Sequence, residues 1–247
     1  AEEAFWNQFR DADTRGSLIV PDDVLAELRL RLIEERAADT GSIFDSQLAD
    51  RAGCLVQQVR FLAQRYHVVV TNPPYMGTNN MGSELSAWLV DQYPLSKSDL
   101  MTAFMERAEL LTVPLGMWGM INLPSWPFLT SFEALRRKLL TGSTFESFLH
   151  LGRGVFGSDF GSVAFVVSRR SHPTGHVGMY RRLFEEHVAV RPTNVIRELF
   201  LDRSYRAYVA DQSSFLAVPG APFAYWLSEV FLSAFERLPA LSNVAAP

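Results

Sequence analysis

Four consecutive residues, Asn72-Pro73-Pro74-Tyr75, combine the groups that are needed to hold an aromatic amine for alkylation. The side-chain carbonyl of Asn72 and a neighbouring backbone carbonyl can each accept one hydrogen of an exocyclic amine. With both hydrogens held, the nitrogen shifts toward tetrahedral geometry and exposes its lone pair to an electrophilic methyl group. The two prolines stiffen the loop. The Tyr75 ring offers a stacking surface for a base, which is worth about 1–3 kcal/mol.

Two other interpretations of these four residues stay open from the sequence. Asn and Pro favour turns, so the segment could simply end a strand. It also fits the Asn-Pro-x-Tyr pattern of peptide ligands for phosphotyrosine-binding-type domains. Such ligands normally lie in flexible tails, whereas a run of β-branched residues precedes Asn72 and favours an ordered loop.

The elements around this loop alternate between strand and helix. Residues 67–71 form a β-branched run that predicts a strand buried on both faces of a parallel sheet. Ser98 and Asp99 are interpreted as the cap of the next helix. Further strands are predicted at residues 116–123, 145–151 and 162–168. A helix is predicted at residues 131–140. The order predicts an α/β fold with a terminal antiparallel hairpin. In such sheets ligands collect at the carboxyl ends of strands, where Asn72 lies.

Bulk properties place the chain among globular proteins. Of its 247 residues, 48% are hydrophobic and 20% are charged. Its apolar runs are shorter than the roughly 20 residues that span a bilayer, and the N-terminus lacks a signal-peptide pattern. We therefore expect a cytoplasmic protein without membrane contact. The single cysteine, Cys54, excludes an intramolecular disulfide and a cysteine-based zinc cluster, and no metal site is expected.

The charge distribution argues against a large DNA-binding surface in these residues. The net charge is −4, whereas phosphate contacts need clustered Lys and Arg. Local basic spots are interpreted as solvated helix faces and strand ends; they are Arg136-Arg137-Lys138, Arg169-Arg170 and Arg181-Arg182. If the protein handles DNA, most of the contact with the phosphate backbone is expected elsewhere.

Residues 68–77, VVVTNPPYMG, look like motif IV of amino methyltransferases. Later segments match in the right order the helices and strands that follow this motif; they are residues 96–108, 116–126, 131–140, 150–157 and 163–167. Residues 218–228 resemble the approach to a target-recognition region. Together these segments resemble the gamma-type DNA adenine-N6 methyltransferases and, within that class, PglX of the BREX phage-defence systems. The resemblance covers most of residues 12–247 and implies a fold that is the second half of a Rossmann-like methyltransferase sheet.

The resemblance implies a role for each matched residue. Asn72 and the Pro73 carbonyl would hold the target amine of a flipped adenine, and Tyr75 would stack on its ring. Phe156 matches an aromatic residue that stacks on the base from another side. A core phenylalanine is an equally good interpretation of Phe156, and Phe160 is the alternative stacking residue.

The resemblance also implies S-adenosylmethionine as the methyl donor and double-stranded DNA as the substrate. The cofactor site of this class needs a glycine-rich turn and an acidic residue for the ribose hydroxyls, and no G-x-G element precedes Asn72. The cofactor-binding residues are therefore unassigned, and we expect them to lie outside a fragment that is inactive by itself. Residues 1–170 would be the C-terminal half of the catalytic domain, and residues 171–247 a linker and the start of the recognition region.

These inferences predict a site-specific methyltransferase that marks host DNA at adenine N6 in phage defence, with other defence subunits as candidate partners. Two alternatives remain from the sequence. Methyltransferases that act on RNA bases or on protein glutamine carry the same loop. A non-catalytic module that serves as a scaffold for DNA or a partner is also compatible with these residues.

Overall fold

The computed structural model describes residues 2–22, 25–157, 159–173, 175–185 and 188–237. Contacts divide the chain into two compact units, Ala1–Tyr66 and His67–Pro247. The α-helices are α1 (Glu2–Asn7), α2 (Ala12–Arg15), α3 (Ala26–Thr40), α4 (Ile43–Ala63), α5 (Ser83–Gln92), α6 (Leu100–Leu111), α7 (Glu133–Gly142), α8 (Thr193–Leu201) and α9 (Glu229–Arg237). The strands are β1 (Tyr66–Thr71), β2 (Thr112–Asn122), β3 (Thr144–Arg153), β4 (Gly161–Ser168), β5 (Gly178–Arg182) and β6 (Ala207–Ala210).

The first unit is helical. Its buried core brings side chains of the N-terminal segment together with those of α3 and α4, and consists of Phe5, Phe9, Ile19, Ala26, Val56 and Val59. An ion pair between Arg60 of α4 and Glu27 of α3, with 2.5 Å between Nε and Oε1, joins the two long helices at the surface. Such an exposed pair adds little to the free energy of folding, so the unit depends on its apolar core.

The second unit contains a six-stranded mixed sheet in the order β1-β2-β4-β3-β5-β6. Strands β3 and β4 pair antiparallel, as do β2 and β4, while β3 and β5 are parallel. β1 and β2 run in the same direction, since His67 O lies next to Gly116 at one end and the Tyr75 hydroxyl bonds to Ile121 O at the other. The predicted α/β fold with its antiparallel hairpin is therefore confirmed.

Strand β1 lies at one edge of the sheet, and one of its faces is open. Val68 and Val70 are 65% and 78% exposed. They line an apolar groove of about 660 Å³ together with Met117 of β2 and Val166 of β4. The prediction that residues 67–71 are buried on both faces is wrong. A run of β-branched residues is typical of a strand, but its burial depends on the layers that pack on either side.

The interpretation of the basic spots as solvated is wrong for two arginines. Arg136 is fully buried and Arg181 is 7% exposed. Both guanidinium groups bond to backbone carbonyls, Arg181 to those of Leu199, Phe200 and Asp202 at the end of α8. Charged side chains are buried where hydrogen bonds replace their water, and the partners here lie too far along the chain to be read from a local charge run.

The sheet continues across residue 171, where the sequence suggested a boundary. β5 pairs in parallel with β3 and in turn carries β6, so residues 178–210 belong to the same sheet as the loop at Asn72. The contacts divide the chain at Tyr66 and His67 instead. The assignment of residues 171–247 to a linker and a recognition region stays a prediction.

Among the described residues, the helices are all too short or too polar to traverse a lipid bilayer.

Candidate active site

Asn72 and Tyr75 meet at the carboxyl end of β1. Asn72 is exposed, Pro73 is buried, and Tyr75 is half-buried. The Tyr75 hydroxyl lies 2.7 Å from Asn72 Oδ1 and 3.0 Å from the backbone oxygen of Ile121 in β2. Because the Asn72 carbonyl oxygen has two lone pairs, it can accept from Tyr75 and still bind a second donor. The loop therefore presents a fixed amide to solvent.

The groove along β1 and β2 ends at this amide. Thr71 and Asn72 supply the polar groups of its lining, which is otherwise apolar and carries no charged side chain. Asn72 thus points outward beside an open space rather than into the protein interior. An Asn-Pro-Pro-Tyr segment fixed in this way to a neighbouring strand differs from a peptide ligand in a flexible tail.

The Asp99 side chain links the end of the active-site loop to the start of α6. Its Oδ1 accepts hydrogen bonds from Met76 N at 3.2 Å and from Met101 N at 3.0 Å. The Leu100 amide donates in return to Met76 O at 3.0 Å. Burial raises the pKa of the Asp99 carboxyl, and the two amide donors act against that rise. The predicted cap is confirmed for Asp99, and its bond to the loop was not evident from the sequence.

Two exposed aromatic residues extend from Tyr75. The ring of Phe160 meets Tyr75 edge-on, with 5.8 Å between centroids, and Phe156 follows at 6.4 Å from Phe160. Phe156 is 50% exposed, so it is not a core residue. Phe160, the alternative in the sequence analysis, is the one that contacts Tyr75. The sequence of residues 152–161 could not show which of the two rings contacts Tyr75.

Among the described residues, no strand with a glycine-rich turn precedes β1. The segment before β1 is the 21-residue helix α4, rather than a strand with a glycine-rich turn. The described part of the chain also contains no cluster of three or more His, Cys, Asp or Glu side chains that could hold a metal ion. The groups that the structure places at this site are the Asn72 amide, the Tyr75 hydroxyl and the rings of Tyr75 and Phe160.

Residues 8–156 match the family described as Eco57I restriction-modification methylase. The chain belongs to this family. The match includes β1, the Asn-Pro-Pro-Tyr loop, α6 and β2 and ends at Phe156, so it covers the candidate site except for Phe160.

Two curated relatives of this methylase-family chain are adenine-specific methyltransferases by name. BrxX of Escherichia coli O9:H4 (strain HS) is 36% identical over 243 residues, which cover 96% of this chain and 20% of that protein. PglX of Lacticaseibacillus casei (strain Zhang) is 34% identical over 224 residues, which cover 87% of this chain and 18% of that protein. The predicted resemblance to PglX is confirmed. The chain spans about a fifth of the length of these relatives.

One solved structure shares the fold of this methylase-family chain. It comes from a study of the assembly and conformational transition of a type I restriction–modification system. The TM-score is 0.50 at 18% identity, over 75% of this chain and 42% of that one. At this level of identity the likeness supports the arrangement of strands and helices, and nothing finer.

Proposed function

We propose that the protein is a site-specific DNA methyltransferase that transfers a methyl group to N6 of an adenine drawn out of the duplex. The observation that carries this proposal is the exposed Asn72 amide at the carboxyl end of β1, held by the Tyr75 hydroxyl. The names of the two relatives, both adenine-specific methyltransferases, support adenine as the target.

Asn72 and Pro73 prepare the amine in this proposal. Asn72 Oδ1 accepts one amine hydrogen and the Pro73 carbonyl accepts the other, which leaves the nitrogen lone pair directed away from both. Pro73 and Pro74 restrict the backbone, so little entropy is lost when the two acceptors take up this geometry. Because Asn72 is exposed, the proton that leaves the methylated nitrogen passes to water.

The aromatic residues hold the base. Burial raises the pKa of the Tyr75 hydroxyl, which therefore keeps its proton and can donate it either to the Asn72 oxygen or to the Ile121 oxygen. The Tyr75 ring stacks on the flipped adenine, and Phe156 and Phe160 form a second aromatic wall. Such stacking compensates for part of the cost of extracting a base from the duplex.

The methyl donor and the biological setting complete the proposal. S-adenosylmethionine would supply the electrophilic methyl group, and the residues that would bind it stay unassigned. Double-stranded DNA is the partner, and most contacts to its backbone lie elsewhere, in keeping with the net charge of −4. The methylation would mark host DNA in the cytoplasm within a phage-defence system.

The test is methyl transfer by the full-length gene product and its Asn72→Ala variant. Radiolabelled S-adenosylmethionine is offered with duplex DNA, duplex RNA or a glutamine-containing peptide, and products are identified by mass spectrometry. We expect N6-methyladenine in the DNA, and a fall of about 100-fold or more in kcat for the variant, as for the loss of one group that stabilises a transition state.

The control is Asn7→Ala, which removes an exposed asparagine from the helical unit. It should keep the wild-type rate. Undiminished methylation by Asn72→Ala would refute the role of that residue. Label in RNA or in the peptide would favour the alternative substrates, and DNA binding without any transfer would favour a scaffold.

A further inference from the structure

A single arginine fastens the loop between β3 and β4. Arg153 is the last residue of β3, and its Nε donates to Asp159 O at 2.7 Å. A second guanidinium nitrogen bonds to the Asp159 carboxylate. A third donates to Val188 O at 3.2 Å. One planar group therefore holds both the backbone and the side chain at the far end of the loop.

The loop that Arg153 closes carries Phe156 and Phe160, the two aromatic residues beside Tyr75 at the candidate site. Asp159 is followed directly by Phe160, whose ring meets Tyr75 edge-on. Phe160 is 41% exposed and Phe156 is 50% exposed, so burial alone does not fix either ring. The position of Phe160 against Tyr75 therefore depends on how the backbone at Asp159 is held.

The segment at residues 188–191 also bonds to Arg153, and we call Arg153 with its hydrogen-bond partners the clamp. The Arg191 amide donates to Arg153 O at 3.2 Å. Gly154 has φ +105°, and a Cβ there would lie 2.2 Å from Arg191 O, so only glycine allows this close approach. Arg153 thus joins the end of β3, the aromatic loop and a segment that follows β5.

We propose that Arg153 is a positioning residue for methyl transfer, which acts by setting Phe160 against Tyr75. The inference rests on the proposed function. The guanidinium hydrogen bonds of Arg153 go to Asp159 and Val188, so its effect on the reaction passes through the loop. Its ion pair with Asp159 is partly exposed, with side-chain exposures of 36% and 76%. Exposed pairs contribute little to global stability, so the activity should respond far more than the melting temperature.

The experiment is a mutant cycle in the full-length protein with Arg153→Ala, Phe160→Ala and the double variant. We expect Arg153→Ala to lower kcat about tenfold or more, because small misplacements at an active site are costly, and to leave the melting temperature nearly unchanged. The double variant should be no slower than Phe160→Ala alone, since Arg153 acts through that ring. Asp159→Ala should show part of the Arg153 effect.

The matched control is Arg36→Ala, which removes the same charge from an exposed position of α3. It should keep the wild-type kcat. A wild-type kcat for Arg153→Ala, or a double variant whose loss is the product of the two single losses, would overturn the inference.

Hydrogen–deuterium exchange of the same variants separates this inference from the proposed function. Backbone amides of residues 154–161 should exchange faster in Arg153→Ala than in the wild type or in Arg36→Ala. Unchanged exchange would show that Arg153 does not hold the loop. If exchange in the loop becomes faster in Arg153→Ala while the wild type transfers no methyl group to DNA, then Arg153 holds the loop but the proposed function is wrong.

Discussion

At the level of single residues, Tyr75 has two parts with different partners. Its ring meets Phe160, and its hydroxyl lies within hydrogen-bond distance of Asn72 and of the Ile121 carbonyl. The sequence suggested the role of the ring, because a stacking residue beside an amide is a local pattern. The bond to Ile121 joins residues 46 positions apart, and no local pattern indicates it.

His150 should make stability depend on pH. It is 9% exposed, stacks on Phe128 and meets the Phe184 ring edge-on. Burial, together with the charge of Arg182, lowers its pKa from 6.5 to about 4. Between these values the unfolded chain binds a proton that the folded chain does not, so the free energy of unfolding falls as the pH drops from about 6.5 to 4.

The His150 contribution over this range is on the order of 3 kcal/mol. Urea unfolding of the wild type and of His150→Phe, measured at several pH values, should show a shallower dependence in the variant, which keeps the aromatic contacts. His67→Phe, at an exposed position, is the control and should retain the wild-type slope. Equal slopes in all three proteins would contradict the burial of a neutral His150.

At the level of elements, the active-site loop and helix α6 share one carboxylate, that of Asp99. Asp99 caps α6 through Met101 N and holds the loop through Met76 N. The start of the helix and the end of the active-site loop therefore form one unit. Local capping preference predicted the bond to Met101. The bond to Met76 depends on how the chain returns to the loop after residues 77–98.

Replacing Asp99 should separate the need for an acceptor from the need for a charge. Asp99→Ala removes both hydrogen bonds and should lower the free energy of unfolding by about 1–2 kcal/mol, as for other lost helix caps. Asp99→Asn keeps an oxygen acceptor in the same place and should lose much less. Urea unfolding measures both variants. An equal loss in both would show that the negative charge, rather than the acceptor geometry, stabilises the junction.

At the level of the whole molecule, a buried arginine joins segments that lie far apart in the sequence. The guanidinium of Arg136 in α7 donates to Trp126 O and Leu129 O in the loop after β2. It also donates to Gly220 O and Ala221 O in the turn before α9. Four carbonyl groups replace the water that this cation loses on burial. The turn at Gly220 is thereby tied to the loop at the end of β2.

Removing this cation should destabilise the protein strongly. Arg136→Met keeps the length of the side chain but leaves four carbonyl groups without their donor, at an expected cost of about 3 kcal/mol or more. Urea unfolding is the measurement. The control is Arg137→Met, which breaks an exposed pair with Glu133 at 2.8 Å and should cost about 0.5 kcal/mol or less. Similar losses in the two variants would contradict a special role for Arg136.

The sequence by itself determined the features that depend on neighbouring residues. The order of strands and helices, the amide-proline-aromatic loop after β1 and the Asp99 cap all follow from periodicity, residue type and short spacing.

The tertiary structure decided the features that depend on which strands become neighbours. These are the open face of β1, the bond from Tyr75 to Ile121, the contact of Phe160 with Tyr75 and the burial of Arg136. Each depends on which distant residues come to lie beside one another, and a β-branched run does not by itself show whether its strand will be at the edge or in the centre of the sheet. Burial and partnership are therefore set by sheet order and by the layers on each face.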